Sequence, residues 1–156
     1  NTKTCNRLII KDMELNLSFE EGVKTADMPL VKLIVNDREG YFLVDTGANV
    51  CFIDETFAKE IGAEEIPPII NNATSLTGNS SVSHSYNVAF NLDAVLLTDI
   101  PCAGTDTKAI NESLRECGLG MNGIIGMFLM RLLNASIDLE NLTITFRLPD
   151  KIKNRK

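Results

Sequence analysis

The stretch that most constrains this chain is Tyr41-Phe42-Leu43-Val44-Asp45-Thr46-Gly47-Ala48, an apolar run that meets one carboxylate, a small hydroxyl and a glycine. An unbroken apolar run predicts a strand buried on both faces, and Gly47 lets the chain turn sharply where a side chain would clash. Asp45 is then held at the end of a rigid element. A buried carboxylate resists ionising unless it is paired or hydrogen-bonded. A neighbouring acid with which to share a proton would turn that cost into acid–base chemistry, and the run supplies only one such Asp. The same residues also describe an ordinary turn after a strand, with Asp45 and Thr46 bonding local backbone. At average composition, Asp-Thr/Ser-Gly arises by chance in roughly one chain in fifteen of this size, so the surroundings must decide.

A second segment, Gly123-Ile124-Ile125-Gly126, is a short apolar step with glycine at both ends. It is followed by Met127-Phe128-Leu129-Met130-Arg131-Leu132-Leu133, whose near-uniform apolarity predicts a buried helical turn. Ile137-Asp138-Leu139 and the alternating Leu142, Ile144, Phe146 and Leu148 then predict a hairpin turning at Glu140-Asn141. In this order the pieces resemble the retropepsin-like aspartic proteases, single-domain relatives of pepsin, over about Pro29 to Phe146. The resemblance implies a mainly β chain, a closed β-barrel of the acid-protease fold with two or three short helices. At 156 residues and 44% hydrophobic the chain can bury a core but is short for two domains. A single domain over 1–156 is expected, with residues 1–28 an N-terminal extension carrying a strand and 147–156 a basic tail.

The resemblance also implies an activity. The chain has one Asp-Thr-Gly and no second copy of it, so the partner carboxylate would come from another subunit, as a two-fold homodimer supplies. Two Asp45 carboxylates would share one proton and titrate as a pair. One would take a proton from the attacking water while the other bonds the peptide carbonyl oxygen. Thr46 would bond across the dimer axis, the Gly47 N–H would point at the carboxylate, and Ala48 would line the pocket. A hairpin with its tip at Thr77, Gly78 and Asn79 would be the flap over bound peptide, and Ile124 and Ile125 would wall the substrate pocket. The alternative is a retropepsin-like module, weak or inactive in catalysis, that binds peptides or dimerises. Three departures from the family pattern bear on this choice. Gly126-Met127-Phe128-Leu129 lacks the usual polar residue, so a helix cap or dimer contact is expected to be missing. Asn49 replaces the commoner Ser or Thr, and the flap has a single glycine.

Elsewhere, Met13, Leu15, Leu17 and Phe19 alternate with polar residues and predict a first strand. Pro29 to Asn36 predicts a second, Asp37 to Gly40 a turn, and Asp54 the cap of a short helix with Phe57, Ala58 and Ile61 on one face and Gly62 as its stop. A strand carrying His84, Tyr86, Val88, Phe90 and Leu92, another over Val95 to Ile100, and a helix over Lys108 to Cys117 follow. His84 is the only histidine and is expected to be a packed or half-exposed strand residue rather than a catalyst, so with no second His the Ser-His-Asp and Cys-His schemes lack a base. The four cysteines show no metal spacing, so neither metal nor cofactor is expected. Cys51 and Cys117 are expected in the core, and a Cys102–Cys117 bridge is left open. The net charge of −6 disfavours nucleic acid, and no apolar run is long enough to span a membrane. The start at Asn1 rather than Met leaves room for a missing leader, an export signal or a lipid anchor, and the compartment stays open.

Overall fold

The computed structural model describes residues 14–70, 72–75, 78–81, 84–92 and 95–148. In chain order these form β1 (Glu14–Ser18), α1 (Glu20–Ala26), β2 (Leu30–Val35), β3 (Arg38–Val44), β4 (Cys51–Asp54), α2 (Glu55–Glu60), β5 (Glu64–Ile66), β6 (Asn72–Ser75), β7 (Gly78–Ser81), β8 (Ser85–Leu92), β9 (Val95–Thr105), α3 (Lys108–Arg115), β10 (Gly123–Ile125), α4 (Met127–Leu132), β11 (Ser136–Asp138) and β12 (Thr143–Arg147). Six strands follow one another in the order β2-β3-β10-β4-β9-β8. Pairing of β8 with β2, Ile34 opposite Asn91 and Val35 opposite Phe90, closes them into a barrel, with β5 added to β8. Phe42 and Phe90 meet edge to face inside it, ring centroids 5.7 Å apart, among Val35, Ile53, Tyr86 and Ile125.

Asn36 explains how the barrel shuts. Asn36 and Asp37 both take positive φ, 46° and 65°, the backbone of a tight hairpin whose twist matches its strands. The turn therefore lies at 36–37, and Arg38 to Gly40, expected in the turn, belong to β3. Asn36 Oδ1 accepts from Ala89 N at 2.8 Å while Asn36 N donates to Ala89 O at 2.9 Å. These bonds fasten the turn to β8 where its register with β9 shifts between Val88 and Phe90. The partner strand β9 runs five residues past the expected end at Ile100. Asp99, at φ 58°, absorbs the irregularity, and Pro101 is tolerated just beyond it.

Four helices are present among the described residues, where two or three were expected. The additional one, α1, follows Phe19, which is fully buried and ends the alternation. Ser18 Oγ accepts from Glu20 N at 3.2 Å, acidic Glu20 and Glu21 occupy the first turn, and Lys24 pairs with Glu20 one turn on, a favourable arrangement for so short a helix. The cap at α2 is as expected, with Asp54 Oδ2 accepting from Phe57 N at 3.0 Å and Gly62 at φ 67°. The N-terminal strand β1 pairs with β12, which also pairs with β11. Arg147 therefore belongs to a strand rather than to the tail, and its Nε donates to Glu14 Oε1 at 3.0 Å. Helix α3 buries Leu114 but ends at Arg115, leaving Cys117 exposed rather than in the core.

Candidate active site

Asp45 follows β3 directly and opens the loop Asp45–Val50 that leads into β4. Strand β10 is wedged between these two strands, parallel to β3 with Ile125 beside Val44 and antiparallel to β4 with Gly123 beside Ile53. The wedge fixes the loop at its root, since Asp45 N donates to Ile125 O at 3.1 Å. Within the loop, Gly47 N donates to Asp45 Oδ1 at 2.8 Å and Ala48 N to Asp45 O at 3.2 Å. The expectation of a strand buried on both faces needs correcting. Phe42 and Val44 are buried, Tyr41 and Leu43 are half-buried, and the Asp45 side chain is itself only half-buried, with Thr46 and Gly47 exposed and Ala48 buried. In the single chain, the carboxylate still meets water.

Glycine is required beneath this loop. A Cβ on Gly126 would lie 2.1 Å from Val50 O and 2.9 Å from Ala48 O, and one on Gly123 would lie 2.3 Å from Phe52 O. The loop backbone rests on Gly126, while Gly123 leaves room for the β4 backbone at Phe52 and the Phe42 ring. Helix α4 then begins without a side-chain cap, as the missing polar residue implied. Its first orphan donors are satisfied differently. Met127 N donates to Ala48 O at 2.8 Å and Phe128 N to Asn49 O at 3.0 Å, so the Asp45 loop itself caps the helix.

Of the two residues expected to wall the pocket, Ile125 points into the barrel and is fully buried. It serves the site through its carbonyl, not its side chain. Ile124 takes the opposite face, by strand alternation, and packs half-buried beside Ala48, Phe52 and Ala103. Val50, Ile69 and Ile70 pack on the same cluster. The latter two were missed, although apolar residues straight after Pro67-Pro68 were a signal that this linker packs on something. The expected flap corresponds to the hairpin β6–β7, a separate two-stranded sheet with Thr74 opposite Asn79 and Ser75 opposite Gly78. Gly78 and Asn79 thus start the returning strand, and Thr77 falls outside the described residues. His84 stands at the base of this hairpin, its Nδ1 3.0 Å from Glu55 Oε1 and its Nε2 3.5 Å from Glu65 Oε1.

Among the described residues, no group of three or more His, Cys, Asp or Glu is assembled to hold a metal ion, and no helix is long and apolar enough to cross a membrane. A family model described as aspartyl protease matches residues 31–127, more than half of the chain and the whole span from β2 to the start of α4. The chain belongs to the aspartyl protease family. Two solved structures share its fold. The EIAV protease, complexed with the inhibitor HBY-793, superposes with a TM-score of 0.53 at 16% identity, covering 73% of this chain and 95% of that one. A retropepsin-like aspartic protease from Rickettsia conorii superposes with a TM-score of 0.51 at 15% identity, covering 89% and 95%. None of the curated protein sequences matches the chain. The fold is therefore the retropepsin-like barrel, with β3, the Asp45 loop and β10 inside the matched family span and α4 starting at its end.

Proposed function

We propose that this family member is an aspartic endopeptidase that works as a homodimer, with Asp45 from each of two copies forming one catalytic pair. The observation that carries this reading is the state of Asp45. The carboxylate ends a barrel strand and accepts the Gly47 N–H. Its loop is locked from below by β10 and α4, yet its side chain remains open on the solvent side. A locked backbone with an accessible carboxylate is the arrangement that positioned acid–base chemistry needs. Two such carboxylates brought within a shared hydrogen bond cannot both be ionised. The ionised one removes a proton from water as it attacks the peptide carbonyl, and the protonated one donates to the carbonyl oxygen. No covalent intermediate forms. Thr46, exposed beside Asp45, has a hydroxyl free to bond the facing loop and hold the two carboxylates in register. The β6–β7 hairpin serves as the flap that excludes water. The wall made by Val50, Ile69, Ile70 and Ile124 favours substrates with apolar side chains around the scissile bond.

The test is cleavage of a peptide library between about pH 4 and 7, with wild type and Asp45→Asn run side by side and the oligomeric state measured by sedimentation. Loss of cleavage by at least a thousand-fold in the variant, with the variant still dimeric, is the expected result. Cleavage that survives Asp45→Asn would place the chemistry elsewhere. Peptide binding without turnover by the wild-type dimer would favour a recognition module in its place.

A further inference from the structure

Cys51 and Cys102 stand side by side at the first rung of the parallel pair β4–β9, and both are completely buried. Neighbouring strands lie about 4.8 Å apart, within the roughly 4.4 to 6.8 Å between Cα atoms that a disulfide spans. Their thiols hydrogen-bond each other, and Cys102 Sγ also lies 3.9 Å from Ile100 O. The two sulfurs are not equivalent. Its bond to Cys102 holds the Cys51 thiol below its ordinary value against the effect of burial, helped by backbone bonds with Gly126 and Leu129. The same bond, with burial, pushes Cys102 well up. Cys51 is thus the more acidic of the two thiols, and Cys102 holds its proton the more tightly. The expected neighbour of Cys102, Cys117, is instead exposed beyond α3. Neither buried sulfur has a part in the peptidase chemistry, yet Cys51 directly follows the Asp45–Val50 loop and touches Gly126, the residue on which that loop rests.

We propose that Cys51 and Cys102 are a buried dithiol that hydrogen peroxide oxidises to an intrachain disulfide, and that this bond loosens the attachment of the Asp45 loop to α4. In the first step the Cys51 thiolate attacks one peroxide oxygen, the O–O bond breaks, hydroxide leaves, and Cys51 becomes a sulfenic acid. In the second, the Cys102 sulfur attacks Cys51 Sγ and displaces the hydroxyl, which departs as water with the Cys102 proton. The two thiols lose two electrons and two protons, and one peroxide becomes two waters. Peroxide is small enough to reach the pair through local opening of β4 and β9 rather than through global unfolding. Once bonded to Cys102, the Cys51 sulfur is drawn away from the Gly126 and Leu129 backbone, and the support beneath Ala48, Asn49 and Val50 weakens.

The experiment uses the full chain with Cys5→Ser and Cys117→Ser, so that the buried pair holds the only thiols, and methionine sulfoxide, which adds one oxygen and no loss of alkylatable thiol, is told apart by mass. It is treated with hydrogen peroxide, then alkylated after denaturation and weighed intact, while amide hydrogen exchange is followed in the untreated and oxidised forms. The expected result is the joint loss of both alkylatable thiols with a mass decrease of two hydrogens, reversed by dithiothreitol. Exchange at Met127 and Phe128, whose N–H groups bond the loop, should become about five-fold faster, the effect of weakening one backbone hydrogen bond. Two thiols that remain alkylatable, sulfinic acid on Cys51 beside a free Cys102, or a disulfide that leaves exchange at Met127 and Phe128 unchanged would each overturn the proposal. None of these readouts needs peptidase activity, so their outcome is independent of the catalytic reading.

Discussion

Gly126→Ala tests whether the loop and α4 are one mechanical unit. The backbone at Gly126, φ −98° and ψ −178°, is extended and suits any residue, so the substitution introduces no conformational strain. What it introduces is a methyl 2.1 Å from Val50 O and 2.6 Å from Val50 C. To bring the nearer contact only to 3.0 Å, the Val50 carbonyl must retreat by 3.0 − 2.1 = 0.9 Å. It cannot rotate away alone, because Ala48 O and Asn49 O are committed to Met127 N and Phe128 N. Overpacking of this kind costs about 1–3 kcal/mol, and loss of one of those two bonds adds about 1 kcal/mol. The expected loss is therefore about 2–4 kcal/mol, which in a domain of this size lowers the melting midpoint by roughly 5–15 °C. Urea unfolding measures it directly, with Gly120→Ala as the matched control, since a Cβ there meets nothing within 4 Å. The control should stay within about 1 kcal/mol of wild type. If Gly126→Ala unfolds at the same urea concentration as Gly120→Ala, the loop does not rest on that glycine and the account of its anchoring is wrong.

Three further substitutions probe other supports. Asp54→Ala removes the acceptor for Phe57 N, Thr107 N and Thr107 Oγ1 and should cost about 2–4 kcal/mol in urea unfolding, from the cap and from the stranded N–H of buried Thr107; a loss under about 0.5 kcal/mol would refute this. Tyr86 is buried with no partner for its hydroxyl among the described residues. Tyr86→Phe should then leave thermal stability unchanged or raise it by up to about 1 kcal/mol, and a clear destabilisation would reveal a bond to the phenol. Asp138 is held below the ordinary carboxylate range by Asn141, through its backbone and side-chain N–H groups, and by Glu140 N. A depressed carboxylate favours the folded state above its unfolded pKa, and that contribution disappears as pH falls through the folded value. Asp138→Asn should accordingly make stability less dependent on pH in the acid range, as seen in melts from neutral pH downwards, and an unchanged acid limb would exclude the effect.

The elements legible in the sequence were those written in local chemistry. The Asp54 cap with the Gly62 stop, the Glu140-Asn141 turn and the Gly-Ile-Ile-Gly step depend on residues a few positions apart, and each stands where its pattern placed it. The errors arose where a distant contact decided. Asp45 looked buried because its strand is apolar, but burial at a strand end depends on what covers it, and one chain leaves that side open. Ile125 joined Ile124 in the expected pocket because both are apolar, whereas neighbours on a strand face opposite ways. The hairpin turn moved to Asn36 because its side chain and backbone bond Ala89, far along the chain, and no local propensity carries that information. Cys51 and Cys102 became neighbours only through the parallel pairing of β4 with β9, which spacing in the sequence does not encode.

The absent polar residue after Gly126 acquires a different meaning from this geometry. Its expected consequence was an uncapped helix, yet the carbonyls of Ala48 and Asn49 take the first N–H groups of α4, so the helix is capped by the loop that carries the carboxylate. Side chains at 127 and 128 are then released from capping, and Met127 and Phe128 stand 37% and 47% exposed. They form an apolar rim on the helix tied to the Asp45 loop. On the dimeric reading, a second copy that covers this rim also removes water from Asp45. Apolar burial favours that step, while desolvation of two carboxylates opposes it unless they share a proton. Association and the protonation state of the pair are thereby linked. A dimer held by this rim should dissociate more readily at neutral than at mildly acidic pH, and Asp45→Asn, which removes both charges, should tighten it at neutral pH. Sedimentation of the two proteins across that range measures the linkage, and an identical pH response in wild type and variant would show that the carboxylates do not face each other in the dimer.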